Sequence, residues 1–176
     1  MARILIETTI NGRPREIAVK PNQTLLEYLR DELSLKGAVE GCGVGVCGSC
    51  TVLVDGRPVS SCLTLATNVE GREVTTIEAL STGGQLDPVQ QAFLQYQAFQ
   101  CGYCTPGMIM AVKGLLAEFG DRVPTEREIR DYLSGNICRC GTYAAVLQAV
   151  KSLVGRLTPP ASPRVTTSSR RCRGRR

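Results

Sequence analysis

Glu40-Gly-Cys-Gly-Val-Gly-Val-Cys-Gly-Ser-Cys-Thr51 carries three cysteines spaced C-x4-C-x2-C, at Cys42, Cys47 and Cys50, and Cys62 follows after eleven intervening residues. Four thiolates at this spacing match the plant-type pattern that holds a [2Fe–2S] cluster. The residues between them suit that chemistry. A loop wrapped around a small anionic cluster must turn its backbone N–H groups inward, and glycine permits the φ > 0 conformations this requires; Gly41, Gly43, Gly45 and Gly48 supply it. Val44 and Val46 are expected to cover the cluster as an apolar lid and limit its contact with water. The alternative is a structural zinc site, but four-thiolate zinc ribbons pair two C-x2-C knuckles and seldom use C-x4-C-x2-C.

A second quartet follows. Cys101-Gly-Tyr-Cys104 is a C-x2-C pair, and Cys138-Arg-Cys140 is a C-x-C pair after 33 intervening residues. Eight of the nine cysteines therefore fall into two ligand sets, leaving Cys172. Metal-bound thiolates in a reducing cytoplasm explain this usage better than a secreted disulfide scaffold, and the N-terminal apolar run, broken by Glu7, does not read as a signal peptide. No stretch approaches the length of a membrane span. The chain contains no histidine, which excludes a Rieske centre, a His-ligated haem and a Ser-His-Asp triad.

The formal charge of +5 is concentrated at one end. Residues 157–176 contain six arginines and no acid; setting those aside, the 21 basic residues fall to 15 against 16 acidic ones. The body of the chain thus gives no reason to expect nucleic acid as a partner.

Along the chain, Asn11-Gly12 marks a type I′ hairpin between strands at 3–10 and 13–19, the second with Ile17 and Val19 on one face. Asn22 or Thr24 caps a predicted helix over 24–34 whose apolar stripe is Leu25, Leu26, Leu29 and Leu33. Strands are predicted at 51–54, 58–62 and 73–78, with a turn at Asp55-Gly56. This order matches a β-grasp, plant-type ferredoxin-like domain over residues 1–80, an α+β unit. Ser81–Gln85 reads as a linker. Helices are then predicted near 87–98, 105–119, 125–134 and 142–154, a small four-helix bundle carrying the second [2Fe–2S] quartet over residues 86–155. Thr125 and Glu128 form a capping box. The tail at 157–176, rich in Pro, Ser, Thr and Arg, is expected to be disordered.

Two one-electron clusters in one chain form a relay. No Walker A loop is present, and no G-x-G-x-x-G opens a helix after a strand. The chain therefore reads as an electron-transfer component whose catalytic centre lies elsewhere; a free-standing two-cluster ferredoxin is the alternative.

The segments GCGVGVCGSCTV, QCGYCTPGMIM and GNICRC resemble the iron–sulfur subunit of the molybdenum hydroxylases, the family of xanthine dehydrogenase, aldehyde oxidoreductase, carbon monoxide dehydrogenase and isoquinoline oxidoreductase. The resemblance covers about residues 3 to 155. It implies a large molybdopterin-binding subunit as partner, in which substrate is recognised. It further implies that Cys101, Cys104, Cys138 and Cys140 hold the cluster nearest the pterin, while Cys42, Cys47, Cys50 and Cys62 hold the one nearer the electron outlet. Gln100 stands where the family uses a glutamine to hydrogen-bond the pterin, and Cys140 is the ligand whose sulfur the pterin contacts. Many members read C-R-C-T-G-Y where this chain has C-R-C-G-T-Y, ending at Tyr143. That exchange leaves the ligands alone and resembles isoquinoline-type members, several of which deliver electrons to a cytochrome. GVCGSCTV instead resembles the carbon monoxide dehydrogenase type, whose members carry an FAD-binding medium subunit. Both outlets stay open.

Overall fold

A computed structural model describes residues 3–157 except Thr82, with 155–157 described by their backbone alone. The arginine-rich tail beyond Leu157, with Cys172, lies outside the described residues.

The N-terminal hairpin forms where the Asn-Gly signal places it. Strand β1 (Ile4–Ile10) pairs antiparallel with β2 (Arg13–Val19), with Ile6 opposite Ile17. Asn11 and Gly12 take φ of 53° and 72°, the two left-handed residues a type I′ turn demands. Asp55 and Gly56 repeat the device, with φ of 51° and 77°, between β3 (Thr51–Val54) and β4 (Arg57–Ser60). Strand β5 (Glu73–Thr75) runs parallel to β1 and antiparallel to β3, giving a mixed sheet of order β2-β1-β5-β3-β4. Alternating residues of β1, namely Ile6, Thr8 and Ile10, are buried.

The helix predicted over 24–34 is shorter and wider than the leucine spacing implies. Thr24 accepts from the Glu27 N–H, and the Glu27 carboxylate accepts from the Thr24 N–H, so the capping box starts helix α1 (Leu25–Glu27) as expected. The chain then passes into a π-helical turn over Tyr28–Glu32, closed by the Leu33 N–H on the Tyr28 carbonyl. Leu25, Tyr28 and Leu29, at i, i+3 and i+4, are all buried. Leu33 is displaced to its margin, and Ser34, at φ 57°, ends the segment.

Beyond β5 the period becomes helical. Asp87 caps α2 (Pro88–Gln95) by accepting from the Val89 N–H, and its other oxygen pairs with Lys113 at 2.8 Å. Helix α3 (Thr105–Phe119) agrees with its predicted span and is apolar on nearly every side, with Met108, Ile109 and Met110 all buried. It is central, packing on α2 and on strands β3 and β4. The predicted capping box of Thr125 and Glu128 starts α4 (Glu126–Tyr132), after which Leu133–Gly135 tightens into a 3₁₀ turn; α5 (Tyr143–Leu157) follows. Both α2 and α4 lie against α5. The helical core also takes in Ile77 and Leu80, so packing changes hands soon after β5.

The seam between sheet and helices is close. A Cβ added at Gly107 would sit 2.3 Å from the Gly48 carbonyl oxygen and 2.9 Å from that of Ser49. Gly107→Ala is therefore expected to destabilise the chain by about 1–3 kcal/mol through overpacking. Without the clash, alanine for glycine within a helix would stabilise by about 1 kcal/mol. Urea unfolding of the two forms distinguishes these, and a stabilised variant would show that the seam yields.

Candidate metal centres

The first quartet lies on the loop that enters β3 and on the turn that leaves β4. Gly43, Gly45 and Gly48 all have positive φ, of 67°, 74° and 68°. Gly48 is fixed by space as well: a Cβ there would meet the Gly135 carbonyl oxygen at 2.5 Å, whereas one at Gly45 would meet only the exposed Leu63 side chain, which can move aside. This path turns the N–H groups of Val44, Val46 and Cys47 onto Cys42 Sγ, at 3.5, 3.3 and 3.4 Å. The Val44 N–H leads these donors in holding the Cys42 thiol down at about 6, so a thiolate is favoured there. Burial, reinforced by the neighbouring Cys50 thiol, instead pushes Cys62 up to about 11. Val44 and Val46, like Leu63, are about three-fifths exposed (64%, 60% and 62%).

The second quartet is assembled from two helix starts. Cys104 stands at the N-cap of α3, with Cys101 three residues earlier, and Cys138 and Cys140 lead into α5. The N-terminal end of α3 does not by itself make Cys104 a ready thiolate: burial dominates and pushes it up to about 11. Burial is the largest influence on Cys138 too, but there the Thr142 hydroxyl and N–H, with the Cys104 thiol and the Cys140 N–H, together outweigh it and leave the thiol at about 7. The Tyr103 N–H, followed by the Cys140 thiol, lowers Cys101. Gln100 Nε2 donates a long hydrogen bond, 3.4 Å, to the Cys140 carbonyl, so the glutamine lies beside the cysteine with which the resemblance groups it.

Within each quartet the thiols act on one another in pairs. The Cys47 thiol helps to lower Cys42, and the Cys50 thiol helps to raise Cys62. Likewise the Cys140 thiol helps to lower Cys101, and the Cys138 thiol helps to raise Cys104. Thiols grouped two and two are compatible with a binuclear [2Fe–2S] cluster, which takes two thiolates for each iron.

Several residues that join the sites were not singled out by the sequence. The Ile137 N–H donates to the Cys47 carbonyl at 2.9 Å. Asn136, buried, donates through Nδ2 to the Gly48 carbonyl at 3.0 Å and to Thr51 Oγ1 at 3.3 Å. The Tyr103 hydroxyl donates to the Glu40 carbonyl at 2.6 Å, and the Cys138 N–H donates to the Tyr143 hydroxyl at 2.8 Å. Only proximity in the chain to the cysteines could have flagged them.

Comparison with known proteins agrees with this chemistry. Residues 8–80 match the 2Fe-2S iron-sulfur cluster binding domain, and residues 76–151 match the [2Fe-2S] binding domain family. The chain is 44% identical over 161 residues to the aldehyde oxidoreductase iron-sulfur-binding subunit of Escherichia coli K12, covering 84% of this chain and 70% of that one. It is 47% identical over 147 residues to the xanthine dehydrogenase iron-sulfur-binding subunit of Escherichia coli O157:H7, covering 84% and 92%. In structure it is similar to a chain of quinoline 2-oxidoreductase from Pseudomonas putida 86, with a TM-score of 0.82 and 42% identity over 88% of this chain and 94% of that one.

Proposed function

Since the chain belongs to the family of iron–sulfur subunits of the molybdenum hydroxylases, the xanthine dehydrogenase and aldehyde oxidoreductase kind, we propose that its two quartets relay single electrons from a large molybdopterin subunit to a further acceptor. Cys42, Cys47, Cys50 and Cys62 are assigned as ligands of one [2Fe–2S] cluster, and Cys101, Cys104, Cys138 and Cys140 as ligands of the other. Each cluster, when bound, stores one electron, so a pair lets a two-electron oxidation leave in single steps. The first unit, residues 1–80, is read as a β-grasp domain and the second, residues 86–155, as a four-helix bundle. Among the described residues no helix is long and apolar enough to cross a membrane; a cytoplasmic location is proposed from the thiol-rich composition.

The observation that carries this reading is the link between quartets. From Cys47 the path runs through its carbonyl, across the 2.9 Å hydrogen bond to the Ile137 N–H, and along one peptide to Cys138. Asn136 holds both loops so that this bond persists. Gln100 and Cys140, together at the outer end of the second quartet, are proposed to face the pterin. At the other end, the exposed Val44, Val46 and Leu63 rim the first quartet, where a flavin subunit or a cytochrome would dock. A free-standing ferredoxin is better served by a charged rim than by this apolar one.

Purification of the native complex through a tag on this chain tests the reading. A large molybdenum-bearing chain is expected to co-purify, and the isolated chain, bleached by dithionite, should oxidise no substrate. A chain that emerges alone, or turns over substrate without molybdenum, would overturn the proposal.

A further inference from the structure

The Gly141-Thr142 step has a consequence at the second quartet. Gly141 takes φ of 76°, which turns the chain sharply after Cys140 and brings Thr142 to the head of α5. There the Thr142 carbonyl accepts from the Val146 N–H, as the residue capping a helix does. A capping threonine ordinarily uses its hydroxyl to accept from an N–H of the first turn. Among the described residues, the hydrogen bond found for this hydroxyl goes elsewhere: Thr142 Oγ1 lies 3.1 Å from Cys138 Sγ. Both residues are buried, at 8% and 6% exposure, so water does not compete for either group.

With a free thiol either atom could donate. Once Cys138 is a thiolate ligand its sulfur has no proton, so the hydroxyl must donate. Resting on the assignment of Cys138 as a ligand, we propose that Thr142 is a positioning residue that donates an O–H···S hydrogen bond to Cys138 and thereby raises the reduction potential of the second cluster relative to a chain without this hydroxyl. Reduction adds one negative charge, shared onto the ligand sulfurs. A donor fixed at one of them stabilises the reduced state more than the oxidised one, and hydrogen bonds to the sulfurs are among the factors that set cluster potentials. The first quartet has no equivalent among the described residues. Its donors to Cys42 are backbone N–H groups, which no side-chain substitution removes.

The test is a redox titration of the native complex followed by electron paramagnetic resonance, comparing Thr142 with Thr142→Val, Thr142→Ala and Thr142→Ser. The second-cluster signal is identified as the one that Cys47→Ser leaves intact. Thr142→Val and Thr142→Ala should make that cluster about tenfold harder to reduce, about 59 mV lower for one electron, with the first cluster unmoved. Thr142→Ser should stay with the unaltered complex. Potentials that do not move, or that sort by side-chain size with Ser beside Ala, would overturn the proposal. So would loss of the second cluster in both hydroxyl-free variants, since the hydroxyl would then serve assembly. Failure of the ligand assignment looks different: the unaltered complex would itself lack two [2Fe–2S] signals.

Discussion

Cys50→Ala in the full chain is expected to lose about half of its iron, from roughly four atoms per chain to two, since two [2Fe–2S] clusters require that number. Cys50 is 2% exposed and helps to raise Cys62, itself pushed up to about 11 chiefly by burial, so no solvent ligand can take its place at the inner end of the site. Cys104→Ala should remove the other half, because it empties the inner pair of the second site, where the Cys138 thiol acts on Cys104. Together the two substitutions should leave a colourless chain. Cys172→Ser, in neither quartet, should leave iron and acid-labile sulfide unchanged. Elemental analysis finding stoichiometric zinc, or iron loss on Cys172→Ser, would contradict the assignment.

Cys140→Ser and Cys47→Ser are expected to divide the relay at different points. Cys140 sits beside Gln100 at the outer end of the second quartet, the end proposed to face the pterin. A serine there should stop substrate from reducing either cluster and disturb the molybdenum centre as well. Cys47 belongs to the other site, and only its carbonyl reaches toward the second quartet, to the Ile137 N–H. Cys47→Ser keeps that carbonyl, so the second cluster should still be reduced by substrate while delivery to the acceptor falls by orders of magnitude. Freeze-quenched electron paramagnetic resonance of the two variant complexes resolves this. If Cys47→Ser blocks reduction of the second cluster while Cys140→Ser spares reduction of the first, the electrons run in the opposite order.

Much of this was legible because it is local. Asn11-Gly12 and Asp55-Gly56 each need two left-handed residues in succession, and few other pairs accept that conformation. The capping boxes at Thr24 and Thr125 are likewise settled within four residues. Cysteine spacing divides eight thiols into two quartets for the same reason. Contacts made across the chain were not legible. Spacing alone does not say that the Cys140 thiol acts on Cys101. Asn136 follows a turn of 3₁₀ helix, and its amide bonds a loop 88 residues earlier. The π-helical turn at Tyr28–Glu32 is not marked by the leucine spacing, which fits a regular helix equally well. Met108-Ile109-Met110 is core because α3 is packed by both helices and sheet. The exchange of Gly141 and Thr142 leaves the ligands in place, and only the fold reveals that it sets a hydroxyl against Cys138.

Low-temperature electron paramagnetic resonance of the dithionite-reduced native complex tests the relay most directly. Two [2Fe–2S] signals are expected, together about two spins per chain, one from each one-electron cluster. The signals should also split each other at the lowest temperatures, because one hydrogen bond and a short run of backbone separate Cys47 from Cys138. A single signal, or two that show no magnetic interaction, would contradict a relay running through these two quartets.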